Sequence, residues 1–183
     1  TWNYTNLMAS TPMTTTASSA AGSVVPAASL KVEYGSGATF YYNTSSTELT
    51  QLASTAPGVE MIYSNPEITL KYPFQMGSTN TDTWKTTFVS GSPFIRTGTT
   101  TINGIGYGTL ILTSGTYSNV LCVNLVQNYD DSTAGMQFVI YQNETQLFYK
   151  PGNHHPILGL SKITTNIMGN TSVINSYYYM NSG

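Results

Sequence analysis

Few groups in this chain are able to do chemistry. The only histidines, His154 and His155, are adjacent. On an extended segment neighbouring side chains point to opposite faces, so at most one could serve a catalytic or metal site. The only acidic cluster is Asp130-Asp131-Ser132. Its carboxylates, with Asn128 and backbone carbonyls, are the hard oxygen donors that Ca²⁺ takes, which makes Asp130 and Asp131 candidate metal ligands. Their spacing is not that of a calcium loop, and a solvated turn is the plainer reading. The single thiol, Cys122, sits in "VLCVNLV" with no Lys, Arg or His beside it to stabilise a thiolate, so it reads as a buried, slow-reacting group. Neither Gly-x-Ser-x-Gly nor Ser-x-x-Lys occurs. The eight acidic residues offer no preferred pair for glycoside hydrolysis. Aromatics are plentiful instead. Tyr41-Tyr42 and Tyr177-Tyr178-Tyr179 each place at least one ring on an outward strand face. Such rings could stack on sugars or contact protein, or they could simply suit a half-buried sheet.

Those residues need a scaffold, and composition says which kind. The chain has 183 residues, enough for one well-cored domain. Charged residues make up 8% of it, against roughly 25% in an average soluble domain. The six basic residues are scattered and the net charge is −2, so no basic patch for nucleic acid can be assembled. Aromatics at 12% argue against disorder. No apolar run approaches the roughly 20 residues of a membrane helix. The start, "TWNYTNL", carries neither an initiator Met nor a signal-peptide pattern, which fits a processed N-terminus or a trimmed chain. No cofactor motif is present.

Residues 1–29 are small, polar and of low complexity, and read as an extended N-terminal segment; residues 30–183 read as the domain proper. From Leu30 the period-2 signal takes over. "LKVEY" turns through "GSG" into "ATFYY", a hairpin. "EITLKYP" puts Ile68, Leu70 and Tyr72 inward and Glu67 outward, while "DTWKTTFV" aligns Trp84, Thr86 and Phe88. "FIRTGTTTIN", "YGTLILT", "YSNVLCVNLVQN", "MQFVIYQ", "TQLFYK", "HPILGLSKITTN" and "SVINSYYYM" follow as further strands, with a turn at Asn143-Glu144. "TELTQLAS" is the single helix candidate. Trp84, Phe88, Leu110, Leu112, Leu121, Val123, Phe138 and Ile140 are the expected core. About a dozen strands at this spacing predict an all-β fold, a two-layer β-sandwich of jelly-roll or Ig-like kind.

"YPFQMGSTNTDTW" followed by "GTTTINGIGYGTLILTSGTYSNVLCV" resembles a pattern of secreted Bacteroidetes proteins, in which an aromatic-Pro-Phe stretch and a "TDT"-like turn precede "GYGTLxLxxGTYxNVLxV". "FYKPGNHHPILGL" is similar to their "WYxPGxxxPLLxI" stretch, and "YYNTSSTELTQLA" and "VEMIYSNPEI" fit their upstream part. Cys122 stands where those proteins usually carry Arg. The resemblance implies cargo of the type IX secretion system, an extracellular or cell-surface location, and a C-terminal sorting domain that has been removed here. It implies no catalytic residue. Asp131-Ser132-Thr133 also resembles the acidic-then-hydroxyl pattern at which Bacteroidetes attach O-glycans, which makes Ser132 a candidate acceptor. The sequence thus points to a secreted, non-enzymatic module acting in adhesion or in surface or filament assembly. Its partners would be copies of itself, cell-surface proteins or glycans. A carbohydrate-binding module is the first alternative, and a hydrolase whose site is assembled in space is the second.

Overall fold

Thr, Val, Ile and Tyr alternating with Ser, Asn and Gly favour extended chain almost everywhere. The computed structural model describes residues 1–7, 15–21, 23, 25–152 and 156–179. They form twelve strands: β1 (Trp2–Asn3), β2 (Thr15–Ser19), β3 (Leu30–Tyr34), β4 (Thr39–Thr44), β5 (Glu48–Ala56), β6 (Val59–Lys71), β7 (Thr79–Ser90), β8 (Ser92–Leu112), β9 (Gly115–Thr133), β10 (Met136–Tyr149), β11 (Leu158–Ile167) and β12 (Asn170–Tyr179). No described residue is helical, and no helix is long and apolar enough to cross a membrane.

The fold is all-β. The strands make one hydrogen-bonded sheet in consecutive order from β2 to β12, every one of these pairs antiparallel. This is an open meander, with none of the non-consecutive neighbours that a jelly-roll or Ig-like order would require. Only β1 departs from the path, lying parallel to β8 with Trp2 opposite Leu110. The segment before Leu30 therefore contributes two strands to the sheet. It also buries Ala20, Val25 and Ala28 against Ala53.

Bulges decide which side chains face inward, because each extra residue inverts the alternation. Phe138 and Ile140, expected in the core, are 37% and 47% exposed, whereas Val139 is buried. The register shift between Gln137 and Val139 puts Val139 opposite Asp131 and turns its neighbours outward. Glu67, expected outward, is buried, since a shift between Leu49 and Thr50 places it on the same face as Leu70. Phe88 is only half-buried, while Trp84, Leu110, Leu112, Leu121 and Val123 are buried as expected. The helix candidate is β5, paired along both sides. There is no turn at Asn143-Glu144, both of which lie within β10. The segments "FIRTGTTTIN" and "YGTLILT" are parts of one 21-residue strand.

Strand β9 separates two apolar cores. Val120 and Cys122 face Leu110, Leu112, Phe148 and Leu158, a cluster capped by Trp2, Tyr4 and Leu7. Leu121 and Val123 face the other way, toward Ile102, with Leu70, Phe74 and Leu147 packed around them. Both Trp2 and Tyr4 meet Phe148 edge to face, at 5.3 and 5.9 Å between ring centres. A side chain on Gly108 would collide with the Trp2 ring, so glycine there is what lets the N-terminus lie down on β8. Cys122 is the covered thiol read from the sequence, and burial pushes its pKa up.

Phe148, fully buried, should cost about 3–5 kcal/mol when changed to Ala. Phe138→Ala should cost about 1 kcal/mol. Denaturant midpoints of the two variants compare them directly, and equal losses would contradict the inward face assigned to β10.

Candidate functional site

The sheet bends sharply at β6. This strand pairs with β7 only from Ile62 to Asn65, and beyond Pro66 its strand pairing is with β5. Proline has no N–H to give a ladder, and side chains close the gap it leaves. Asn65 Nδ2 donates to the Thr83 carbonyl, and Asp82 Oδ2 accepts the Ile68 N–H at 2.7 Å. Past this corner the side chain of Glu67 reaches β8 and β9. On a flat sheet β6 and β9 would stand roughly 14 Å apart, three strand spacings. Here Gln127 Nε2 of β9 donates to Glu67 Oε1 of β6 at 2.6 Å.

Glu67 is the hub of a chain of polar groups crossing the interior. Thr100 Oγ1 donates to the same carboxylate oxygen and accepts from Trp84 Nε1 at 2.9 Å. Asn143 Nδ2 donates to Gln127 Oε1 at 3.0 Å, and Asn143 Oδ1 accepts from Ser161 and Thr145. Five strands, β7 to β11, are thereby tied to one carboxylate. Glu67 is 2% exposed. Burial raises its pKa, and the hydrogen bonds from Thr100 and Gln127 oppose that rise. Tyr42 and Tyr63 crowd the same region, their hydroxyls pushed well up by burial and by the Glu67 charge, with Tyr34 also raising Tyr42. Gln51 Nε2 donates to the Tyr63 hydroxyl at 2.8 Å.

A second inner cluster surrounds Arg96. Its Nε and Nη2 grip Asp131 at 2.6 and 2.8 Å, and its guanidinium carbon lies 5.0–5.3 Å from the ring centres of Phe88, Tyr129 and Tyr141. Burial alone would lower the Arg96 pKa, but bonding to Asp131 more than offsets it. Such a bidentate, ring-sandwiched ion pair fixes structure.

The candidate residues therefore separate. Asp130 and Asp131 occupy successive positions of β9 rather than a loop, so they face opposite ways. Asp131 is committed to Arg96, and Asp130 accepts from Thr97 Oγ1 at 3.2 Å. The two carboxylates do not converge on one ion. Among the described residues no three His, Cys, Asp or Glu side chains come together. His154 and His155 lie outside those residues. The Ser132 hydroxyl is at the surface and donates to the Ile95 carbonyl. Tyr41 packs half-buried against Ala53 and its neighbours, and Tyr42 faces the Glu67 hub. Neither forms an exposed platform.

Tyr177 and Tyr178 are different. Both lie on β12 and are exposed at the end of the sheet. Tyr178 lies over Gly159, its partner on β11, with much of its ring exposed but its hydroxyl in a crowded setting, where burial and then the nearby Tyr34 push its pKa up to about 12. Tyr179 is in the strand, but its side chain is not among those described. Sequence reading missed Val173 and Ile174 of the same strand, which are more than half exposed. The available signal was the uncharged run "NTSVINSYYY" at the end of a meander. No family model matches the chain, nor does any curated protein or solved structure.

The raised pKa of Glu67 has a definite sign. A carboxyl that binds its proton more tightly when folded adds stability below its unfolded value, and that contribution is lost as pH rises through the folded value. Glu67→Gln keeps a hydrogen-bonding oxygen and removes the charge. The variant should melt higher than the parent near neutral pH, and the difference should shrink below the ordinary carboxyl value of 4.5. Thermal midpoints across pH test this. A difference that grows on acidification would reverse the assignment.

Proposed function

We propose that this chain is a secreted, non-enzymatic module that acts at the cell surface, in adhesion or in assembly with copies of itself, through the edge strand β12. The observation that carries the reading is the state of that edge. β12 is bonded to β11 along all ten residues and stands at one end of the strand order, and among the described residues no strand pairs with its other side. Soluble proteins usually guard such an edge with Lys, Pro or a bulge. β12 has no charged residue, no proline and no register shift, and Val173 and Ile174 are exposed on its two faces. The opposite edge, β2, spans five of the described residues. A strand from a second copy could add to β12 by main-chain bonding, with the exposed apolar side chains covered from both faces. Two β12 strands meeting antiparallel would make a two-fold pair; β12 meeting β2 would propagate a filament. The low charge of the whole chain suits close packing of neutral faces, and the resemblance to type IX cargo supports the extracellular setting.

Sedimentation over a range of concentrations tests the reading. The parent should associate, and the double variant V173K/I174K should weaken association by about tenfold or more, equivalent to 1.4 kcal/mol. Its melting midpoint should stay close to the parent's, since both positions are exposed. A parent that stays monomeric throughout, or association indifferent to the lysines, would overturn the proposal.

A further inference from the structure

The outer face of the sheet is closed at one end and open at the other. Trp2, Tyr4 and Leu7 cover Cys122, Phe148 and Leu158. One step further along each strand, on the same face, come Asn124, Gln146 and Leu160, no longer beneath those three side chains. There the surface drops into a shallow groove of about 410 Å³. Its floor is Leu160, half-buried against the capped core. The amides of Asn124, Gln146 and Asn175 and the ring of Tyr177 line it. The register sets Asn103, Asn124, Gln146, Leu160 and Tyr177 in one transverse row across β8 to β12.

We infer that this groove is a binding subsite for a neutral glycan. Each amide side chain offers both donors and acceptors, the pairing that a sugar's hydroxyls, donor and acceptor at once, can satisfy in full. Leu160 and the Tyr177 ring supply the apolar contact that the C–H face of a pyranose requires. The volume suits one or two rings. The row runs across the strands at steps of about 4.8 Å, comparable with the length of one pyranose unit in an extended chain. A glycan lying across the strands would therefore meet a new side chain at each residue. Charge argues for neutrality. Among the described residues the ionic groups lining the groove are Glu144 and Lys162, directly opposite each other on β10 and β11, so their charges cancel. A phosphorylated or sulfated ligand would find no cationic excess.

The site uses side chains on the outer face, whereas the proposed assembly uses the main chain at the edge of β12. The two can therefore fail separately. The test is to titrate the isotope-labelled chain with cellohexaose, xylohexaose, mannohexaose and a heparin hexasaccharide, following backbone amide shifts. At least one neutral oligosaccharide should give saturable shifts at Asn124, Gln146, Leu160, Asn175 and Tyr177. Affinity for isolated sugars should be in the millimolar to micromolar range. Tyr177→Ala and Gln146→Ala should each weaken it by about tenfold with an unchanged melting midpoint. Gln146→Ala, two strands in from the edge, should leave self-association as it was. Three results would overturn the inference. They are no saturable shift with any neutral sugar at millimolar concentration, binding that survives both substitutions, or a response confined to heparin. V173K/I174K abolishing association while sugar binding persists would separate the groove from the edge.

Discussion

One buried carboxylate ties β6 to β8 and β9, strands that the order of the sheet alone would hold apart. A continuous ladder of consecutive strands would, if only gently twisted, leave both surfaces wet. It is the corner at Pro66, and the landing of Glu67 on Thr100 and Gln127, that gives the sheet an interior. The arrangement is costly, because among the described residues no cation pairs with Glu67 and a buried charge without one is expensive. It is tolerated because donors meet the carboxylate and further amides and hydroxyls continue the chain, leaving few polar atoms in the vicinity unsatisfied. Arg96 and Asp131 perform the complementary task with a matched pair, further down the same face.

This interior explains the composition. Thr, Asn, Gln and Tyr are the side chains that can line a folded sheet from within, bonding across it, while presenting hydroxyls and amides without. Thr100, Gln127, Asn143 and Ser161 sit inside, and Asn124, Gln146 and Asn175 sit outside. The chain does not sort polar from apolar by face as strictly as an ordinary amphipathic sheet does. Glu67 is the buried exception among its scarce charges; Arg96 and Asp131 are buried only as a pair, and Lys31 pairs with Glu33 nearer the surface.

The same mixing limits what alternation can reveal. Strand existence, the hairpin at Gly35–Gly37 and the buried state of Trp84, Leu121 and Cys122 were legible, since each lies in a regular stretch of period 2. Glu67, Phe138 and Ile140 were not, because single-residue bulges near them invert the face and leave no mark in a Thr- and Gln-rich sequence. β5 looked helical because Leu49 and Leu52 have helical spacing, and pairing on both sides overrode it. Of the candidate tyrosines, position in the sheet decided the outcome. Tyr42 is in a strand folded inward, and Tyr177 is on the last strand. Runs of tyrosine alone carry no information about either.

Consecutive order also has a kinetic meaning. Every neighbour from β2 to β12 is joined by a short link, so each hairpin can close at small loop entropy and offer a template for the next. The exception is β1, where Trp2 must find Leu110 across more than half the chain. That contact also needs β8 and the Phe148 surface of β10 in place before it has anything to cover. The segment around Trp2 is thus the part that can dock only after the strands beneath it have formed, and the Cys122 thiol lacks its cover until it does.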